Sequence, residues 1–194
     1  MSPRKKEFDP DVALESAMRV FWTKGYEATS IQDLVDAMGI NRFSIYDTFG
    51  DKREIFCAAC QRYLNSVGLE RLALIRESEN GLDGIRKFFD TAVDFLGSEQ
   101  GQDGCLMTNT ANELSTVDEK ARQVVDTFFV ELLTEFRGAL TKAKKLGLLS
   151  KSFDVGKGAQ YLASNAQGIW VFGKVSPDRT TLNGIVELTM STLT

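Results

Sequence analysis

The chain of 194 residues is 43% hydrophobic and carries a formal net charge of −4, with three cysteines and no histidine. Its length allows one large or two small domains, and no segment approaches the roughly 18 consecutive apolar residues of a membrane helix. The N-terminal sequence MSPRKKEF lacks the apolar stretch of a signal peptide, so we expect a cytoplasmic protein with no membrane partner. Few cysteines and no histidine argue against a disulfide scaffold and against a metal site.

The first predicted helix begins at Asp9 and Pro10 and ends at Gly25. An acceptor side chain followed by the fixed φ angle of proline favours helix initiation. We expect the apolar face of this helix to cover the pair of helices that follows. That face repeats at spacings of three and four, with Leu14, Ala17, Met18 and Phe21.

A helix-turn-helix is predicted for residues 30–49. Ser30 and Asp33 have the spacing of a capping box, in which each side chain accepts a hydrogen bond from the other residue's backbone N–H. Gly39 stands where a left-handed residue can end a helix, and Asn41 can cap the next one. Such a short corner predicts two helices that cross steeply. The apolar face of the first helix consists of Ile31, Leu34, Val35 and Met38.

The second helix of this pair has an inward face and an outward face. Ile45 and Phe49 lie four residues apart and should point inward together. A short, braced helix with arginine and aromatic rings on its outer face fits the major groove of DNA. An ordinary helical hairpin inside an all-α protein is the alternative interpretation. The outward residues are Arg42, Phe43, Tyr46 and Asp47.

Residues 9–56 resemble the TetR family of bacterial repressors. Its pattern is a helix, G-Y, T-T/S, a helix, G-V/I-S/N, and then L/I-Y-x-x-F-x-x-K. Three positions depart from the pattern: Val35 replaces a usual Ala, Phe43 a common small residue and Thr48 a frequent His. These departures leave the recognised DNA sequence open. The matching residues are Phe21, Gly25, Tyr26, Thr29, Ser30, Gly39, Ile40, Asn41, Tyr46, Phe49 and Lys52.

The resemblance implies an all-α protein with two domains. Residues 1–56 would form a three-helix, helix-turn-helix DNA-binding domain, and residues 57–194 a helical domain for effector binding and dimerisation. A homodimer would bind a pseudo-palindromic operator in double-stranded DNA as a repressor, without a cofactor, and a small-molecule effector would release it. Capping alone would also explain Thr29 and Ser30. The implied DNA contacts are Thr29, Ser30, Arg42, Phe43, Ser44, Tyr46, Thr48 and Lys52.

The first 60 residues are not basic, since they contain eight Lys or Arg against ten Asp or Glu. Binding to DNA phosphates therefore requires the cations to be gathered on one surface. The sequence allows this with an N-terminal arm at residues 4–6, with Arg42, and with Lys52 and Arg53 at the next helix start. A solubilising tail and scattered surface charges are the alternative.

A long fourth helix is predicted over residues 52–76, opened by a second capping box at Asp51 and Glu54. It should link the two domains, so that a shift of this helix moves the first domain. Cys57 and Cys60 lie one turn apart on it. We interpret them as small buried residues, because the chain offers neither histidine nor a second Cys-x-x-Cys for a metal. Its buried stripe is predicted to be Ile55, Phe56, Ala59, Tyr63 and Val67.

Further helices are predicted to follow the Asn80-Gly81 turn. The helix over residues 117–146 has so wide an apolar face that it should have neighbours on more than one side. The last two helices could form a four-helix dimer interface through Ala159, Ala163, Ala166, Leu182, Ile185, Val186, Thr189 and Leu193, or they could close the monomer's own core. The first of these predicted helices ends near Gly97. The later ones cover residues 105–114, 117–146, 154–175 and 177–193, and Thr116 with Glu119 is predicted to cap the helix over 117–146.

An effector pocket is expected among the apolar side chains of the second domain, since helical regulators bind effectors in apolar clefts. Filled core is the alternative for each candidate. Cys105 also lies in a Gly-Cys-Leu segment that resembles one branch of the family, in which some members sense oxidants or electrophiles through a cysteine. A structural cysteine is the alternative there. The pocket candidates are Phe88, Cys105, Phe128, Phe136 and Trp170.

The rival function from another class is an all-α small-molecule binder or enzyme that reads no DNA. Catalysis finds no support in the sequence, because histidine is absent and no nucleophile pair accompanies the carboxylates. We therefore expect a regulator and no enzyme.

Overall fold

A computed structural model describes residues 8–114 and 118–193 of the chain. Over these residues the structure is helical and contains no strand, which confirms the predicted all-α class. The cationic arm at residues 4–6 and the predicted cap Thr116 lie outside the described residues.

The first helices begin with the caps that the sequence predicts. The Asp9 side chain accepts a hydrogen bond from the backbone N–H of Asp11 at 2.9 Å, and Pro10 is the first helical residue. Ser30 and Asp33 make both hydrogen bonds of the capping box. These helices are α1 (Pro10–Lys24), α2 (Ile31–Met38) and α3 (Arg42–Phe49).

The predicted helix over residues 52–76 is continuous but contains one wide turn. It consists of α4 (Lys52–Tyr63), a π-helical turn (Leu64–Gly68) and α5 (Leu69–Arg76), and it opens with the predicted Asp51 and Glu54 capping box. The extra residue in a π turn shifts the helical register. Leu64 and Gly68 are therefore buried, whereas Val67, a predicted core residue, is only half-buried.

The remaining helices lie close to their predicted positions. Two begin two residues later than predicted, because aspartates cap them: Asp118 accepts from the N–H of Ala121, and Asp178 from that of Thr181. Within residues 8–114 and 118–193, every helix is too short or too polar to span a lipid bilayer. The helices are α6 (Leu82–Leu96), α7 (Leu106–Leu114), α8 (Glu119–Lys145), α9 (Val155–Val175) and α10 (Arg179–Ser191).

The core formed by helices α5 to α10 is built around α8. This helix packs against α9, α7 and α5, as its wide apolar face predicts. Aromatic rings fill the space between α8 and α6. The ring of Phe136 lies 5.4 Å from that of Phe88 and 6.1 Å from that of Phe89, centroid to centroid. Edge-to-face and offset contacts of this kind add to the energy of burial.

Candidate nucleic-acid interface

The corner between α2 and α3 has the geometry that its sequence predicts. Gly39 is left-handed, with φ 66° and ψ 22°, and its N–H donates to the carbonyl oxygen of Val35 at 3.1 Å. A residue without Cβ adopts this conformation at little cost. The Asn41 side chain then accepts from the N–H of Ser44 at 2.9 Å, which starts α3 immediately after the corner. The predicted helix-turn-helix is therefore confirmed.

The outer face of α3 leaves large side chains in solvent. Phe43 is 79% exposed and Tyr46 is 45% exposed, and Arg42 is exposed beside them. Ile45 is buried, and the half-buried Phe49 packs against the core. Exposed aromatic rings next to arginine are typical of binding surfaces. Both predicted faces of α3 are present in the structure.

Ser44 and Thr48, four residues apart, lie half-buried on one flank of this face. At the N-terminus of α2, Ser30 is exposed, and its hydroxyl oxygen accepts from the N–H of Asp33 at 3.1 Å. Ser30 thus caps α2 and is also exposed to solvent.

Thr29 does not share this surface. Its side chain is buried, and its hydroxyl donates to the carbonyl oxygen of Gly25 at 2.6 Å. The sequence places Thr29 beside Ser30, but the chain is extended at the N-cap, so the two neighbouring side chains point in different directions. The hydroxyl of Thr29 ties together the turn between α1 and α2, and a side chain buried there does not fit the predicted contact with DNA.

Lys52 lies in the first turn of α4, near the end of α3. Its ammonium nitrogen is 4.4 Å from the centroid of the Tyr26 ring and 3.4 Å from the carbonyl oxygen of Glu27. The Tyr26 ring packs in turn on Phe56 at 5.0 Å. The cation–π contact fixes the ammonium group while leaving donors for another acceptor. A helix N-terminus and a fixed cation together favour a phosphate oxygen.

Two other cations near this surface are paired with carboxylates. Arg53 lies 2.5 Å from Asp118, and Lys24 lies 2.5 Å from Asp33. Hydrogen bonds from Lys24 and Ser30 lower the pKa of Asp33, so this carboxyl group stays ionised. The sequence places Arg53 among the gathered cations, but its ion pair with Asp118, the cap of α8, directs its guanidinium toward α8.

The five predicted pocket residues are buried and fall into two groups. Rings pack on rings around Phe88, Phe128 and Phe136. Trp170 instead packs on the guanidinium of Arg71, and Cys105 contacts the Tyr63 hydroxyl that accepts a hydrogen bond from Arg71. The sequence gives no sign of this polar group. The list of pocket candidates therefore combines ring-packed core with a polar network.

That polar network joins four helices and the turn before α7. The Arg71 guanidinium carbon lies 4.6 Å from the centroid of the Trp170 ring and 5.0 Å from that of Phe95. Arg71 donates to the Tyr63 hydroxyl at 2.9 Å, and this hydroxyl donates to the Cys105 sulfur at 3.5 Å. Burial raises the pKa of Tyr63, which stays a neutral donor. Arg71 could not be identified from the sequence, because its ring partners Phe95 and Trp170 lie far away in the chain and form no motif with it.

A cleft of about 440 Å³ lies elsewhere, between α1, α7 and α9. Trp22 and Lys24 line it from α1, Asn109 and Glu113 from α7, and Lys174 from α9. None of the five predicted pocket residues lines this cleft. It lies where the first part of the chain meets the second.

Comparison with known proteins agrees with this geometry. Residues 13–59 match the bacterial regulatory proteins of the tetR family, and residues 81–187 match the tetracyclin repressor-like C-terminal domain. The HTH-type transcriptional regulator YezE of Bacillus subtilis is 31% identical over 98% of both chains. The HTH-type transcriptional repressor ComR of Escherichia coli is 35% identical over 58% of this chain and 54% of ComR.

A solved structure extends the likeness to the whole chain. The TetR family transcriptional regulator CifR, solved as a cysteine mutant in complex with a 26 bp double-strand operator DNA, is 28% identical. The match covers 98% of this chain and 100% of the CifR chain, with a TM-score of 0.88. With both halves matched and the helix-turn-helix in place, the chain belongs to the tetR family of bacterial regulatory proteins and is a DNA-binding transcriptional regulator.

Proposed function

We propose that this regulator is a cytoplasmic repressor that binds a pseudo-palindromic operator as a homodimer and is released by a small molecule. The observation that carries the proposal is the outer face of α3, where Arg42, Phe43 and Tyr46 stand in solvent on a capped eight-residue helix. A helix of this kind fits the major groove, and its N-terminal residues reach base edges. The relatives described as repressors favour repression over activation.

The proposed contacts divide by chemistry. Arg42, Phe43 and Tyr46 would contact base edges, and Ser44 and Thr48 would contact the groove wall from the flank. Ser30 and Lys52 would bind phosphates from the N-termini of α2 and α4 on either side of α3. The DNA-binding domain is proposed to comprise residues 1–56 and the effector-binding and dimerisation domain residues 57–194.

The dimer is proposed to form through α9 and α10, but through residues other than those predicted. Ala159, Leu182 and Val186 are buried within the monomer, as are most of the residues named with them. They therefore close the subunit's own core, the alternative given above. Another set of large apolar side chains on the same two helices faces solvent: Tyr161, Val171, Phe172, Val175 and Leu188. An exposed apolar surface of this kind favours association with a second copy.

The effector site is proposed beside Cys105 and Trp170, in the polar network around Arg71. A cation held by ring faces and a tyrosine hydroxyl provides the few polar groups that apolar effector sites contain. Phe88, Phe128 and Phe136 are proposed to be filled core, since their rings already contact other rings.

Nuclease footprinting on the DNA upstream of the chain's own coding sequence tests the function. The expected result is a protected site with two half-sites about one helical turn apart, and a binding constant that falls steeply with salt. Equal affinity for that DNA and for an unrelated duplex of the same length would contradict specific operator binding.

A second candidate function is regulation through a cysteine. The position of Cys105 favours it, because its sulfur contacts the Tyr63 hydroxyl and α7 begins at the next residue. The burial of Cys105 opposes it, because only 2% of this residue is exposed and an electrophile has to reach the sulfur.

Alkylation of the native protein separates these effects. We expect iodoacetamide to label the half-buried Cys57 first, because Cys60 and Cys105 are buried and burial raises the pKa of Cys60 to about 12. Mass spectrometry of peptides over a time course measures the order. Labelling of Cys105 as fast as Cys57 would show that its surroundings open in solution, and would favour cysteine sensing.

A further inference from the structure

The short helix α7 is bonded to the turn between α1 and α2 through one carboxylate. Both oxygens of Glu113 accept backbone hydrogen bonds, from the N–H of Tyr26 at 3.0 Å and from the N–H of Glu27 at 2.8 Å. Hydrogen bonds to an ionised acceptor are stronger than those between neutral groups. Glu113, on α7 of the proposed effector-binding domain, therefore fixes Tyr26 and Glu27 in the turn of the proposed DNA-binding domain.

The turn is shaped to receive this carboxylate. Gly25 has φ 80°, and a Cβ atom at this position would lie 2.9 Å from one Glu113 oxygen. Glycine supplies both the positive φ and the missing side chain. The carboxylate consequently lies directly against the backbone of the turn.

The other end of α7 is also tied to α1. The indole N–H of Trp22 donates to the carbonyl oxygen of Gly104 at 3.1 Å, in a buried position two residues before α7 begins. The Trp22 ring stacks on Phe95 with a centroid distance of 5.8 Å. The nine residues of α7 rise about 13 Å between these two ties. Both ends of α7 are therefore bonded to α1 or to the turn that follows it.

We propose that Glu113 is a positioning residue for operator binding, which holds the α1–α2 turn and the helices packed behind it in the DNA-competent arrangement. The inference rests on the proposed function. The fold as a whole matches that of a chain solved in complex with operator DNA, with a TM-score of 0.88. Because α1 packs against α2, and α2 packs against α3, a displacement of the turn between α1 and α2 also displaces α3, the helix proposed to enter the major groove.

The link also has a direction. α7 begins immediately after Cys105, whose sulfur belongs to the Arg71 and Tyr63 network. A change in that network moves the start of α7, and the Glu113 end then pulls on the turn between α1 and α2. Apparent operator affinity follows the fraction of protein in the competent arrangement. Glu113 thereby couples the proposed effector site to DNA.

The substitution Glu113→Gln tests this role. Glutamine keeps the length of the side chain but offers one oxygen, and its NH₂ group faces the second backbone N–H. We expect the affinity for the footprinted operator to fall about tenfold, with an unchanged salt slope because no phosphate contact is lost. Electrostatics alone predicts the opposite sign, since removing a negative charge near DNA strengthens binding. Glu79→Gln, an exposed site between α5 and α6, is the control with the same change in net charge.

Amide hydrogen exchange distinguishes positioning from general destabilisation. In Glu113→Gln, exchange should increase at Tyr26 and Glu27 while the interiors of α1 and α4 stay protected. Trp22→Phe, which removes the indole N–H at the opposite tie together with part of the ring that packs on Tyr63 and Phe95, should also weaken operator binding. Operator affinity equal to wild type in Glu113→Gln, or protection lost throughout the first four helices, would overturn the proposal. Failure of the wild-type protein to bind its upstream DNA would refute the proposed function instead.

Discussion

Arg42→Ala is expected to weaken binding to the operator by about 10- to 100-fold and to reduce discrimination among sequences at one position of each half-site. A bidentate arginine contact with a base edge contributes about 1–3 kcal/mol to discrimination, and Arg42 is exposed in the first turn of α3. Tyr46→Ala removes the second exposed contact of this face and should weaken binding by a similar factor. Fluorescence anisotropy with labelled operator duplexes, titrated at several salt concentrations, measures both effects.

Arg19→Ala provides the matched control for this series. Arg19 lies in the same domain, and its side chain is 66% exposed, but it pairs with Glu15 on α1 and not with the α3 face. It removes the same charge, so it should change affinity only slightly. If Arg42→Ala and Tyr46→Ala both left affinity and salt slope unchanged, the reading face would lie elsewhere.

Placing two carboxylates on the exposed apolar surface of α9 and α10 should dissociate the proposed dimer. Val175 is 85% exposed and Leu188 is 67% exposed, so Val175→Asp with Leu188→Asp leaves the monomer's core intact. Burying these charges between subunits would cost more than the contact returns. A monomer engages one half-site, and loss of the second raises the apparent Kd by more than about 100-fold. Analytical ultracentrifugation and operator titration measure the two consequences.

Val130→Asp on α8 serves as the control for added surface charge, since Val130 is exposed but lies outside the proposed interface helices. It should leave both mass and affinity close to those of wild type. A double variant that remained a dimer would place the interface on another surface, and a dimer already absent in the wild-type protein would remove the basis for a paired operator.

The parts of the fold that could be predicted are those fixed by neighbours in sequence. Ser30 with Asp33 and Asp51 with Glu54 satisfy helix ends within four residues, so spacing alone reveals them. Gly39 needs only its own backbone conformation to mark the corner. The reading helix follows from these local signals, which explains why its two faces could be assigned correctly.

Two kinds of feature escape prediction: the direction in which a local side chain turns, and a contact with a distant residue. Thr29 and Ser30 look equivalent in sequence, but the hydroxyl of Thr29 turns into the fold to reach Gly25, only four residues away. Arg53 is drawn to Asp118, 65 residues away, and its exposure to DNA could not be judged without that partner. Glu113 offered no local pattern at all, because its acceptor role depends on a turn 87 residues earlier in the chain.

The same limit applied to the interface helices. An apolar stripe shows that a face is buried, but it does not show whether the cover is the same chain or another copy. Leu182 and Val186 are covered by their own subunit, and the exposed Leu188 lies on a different side of α10. Only the packing of α10 against α6 and α9 separates these sides.

The π-helical turn at Leu64–Gly68 sets the rotation of α5 relative to α4 within the long helix that they form together. Before this turn, Tyr63 packs on Trp22 of α1. After it, Arg71 lies between the rings of Trp170 and Phe95. A π turn holds one more residue than an α turn, so α5 is rotated about the helix axis relative to its position in an unbroken α-helix. The faces that α4 and α5 present to their neighbours are offset by that one residue.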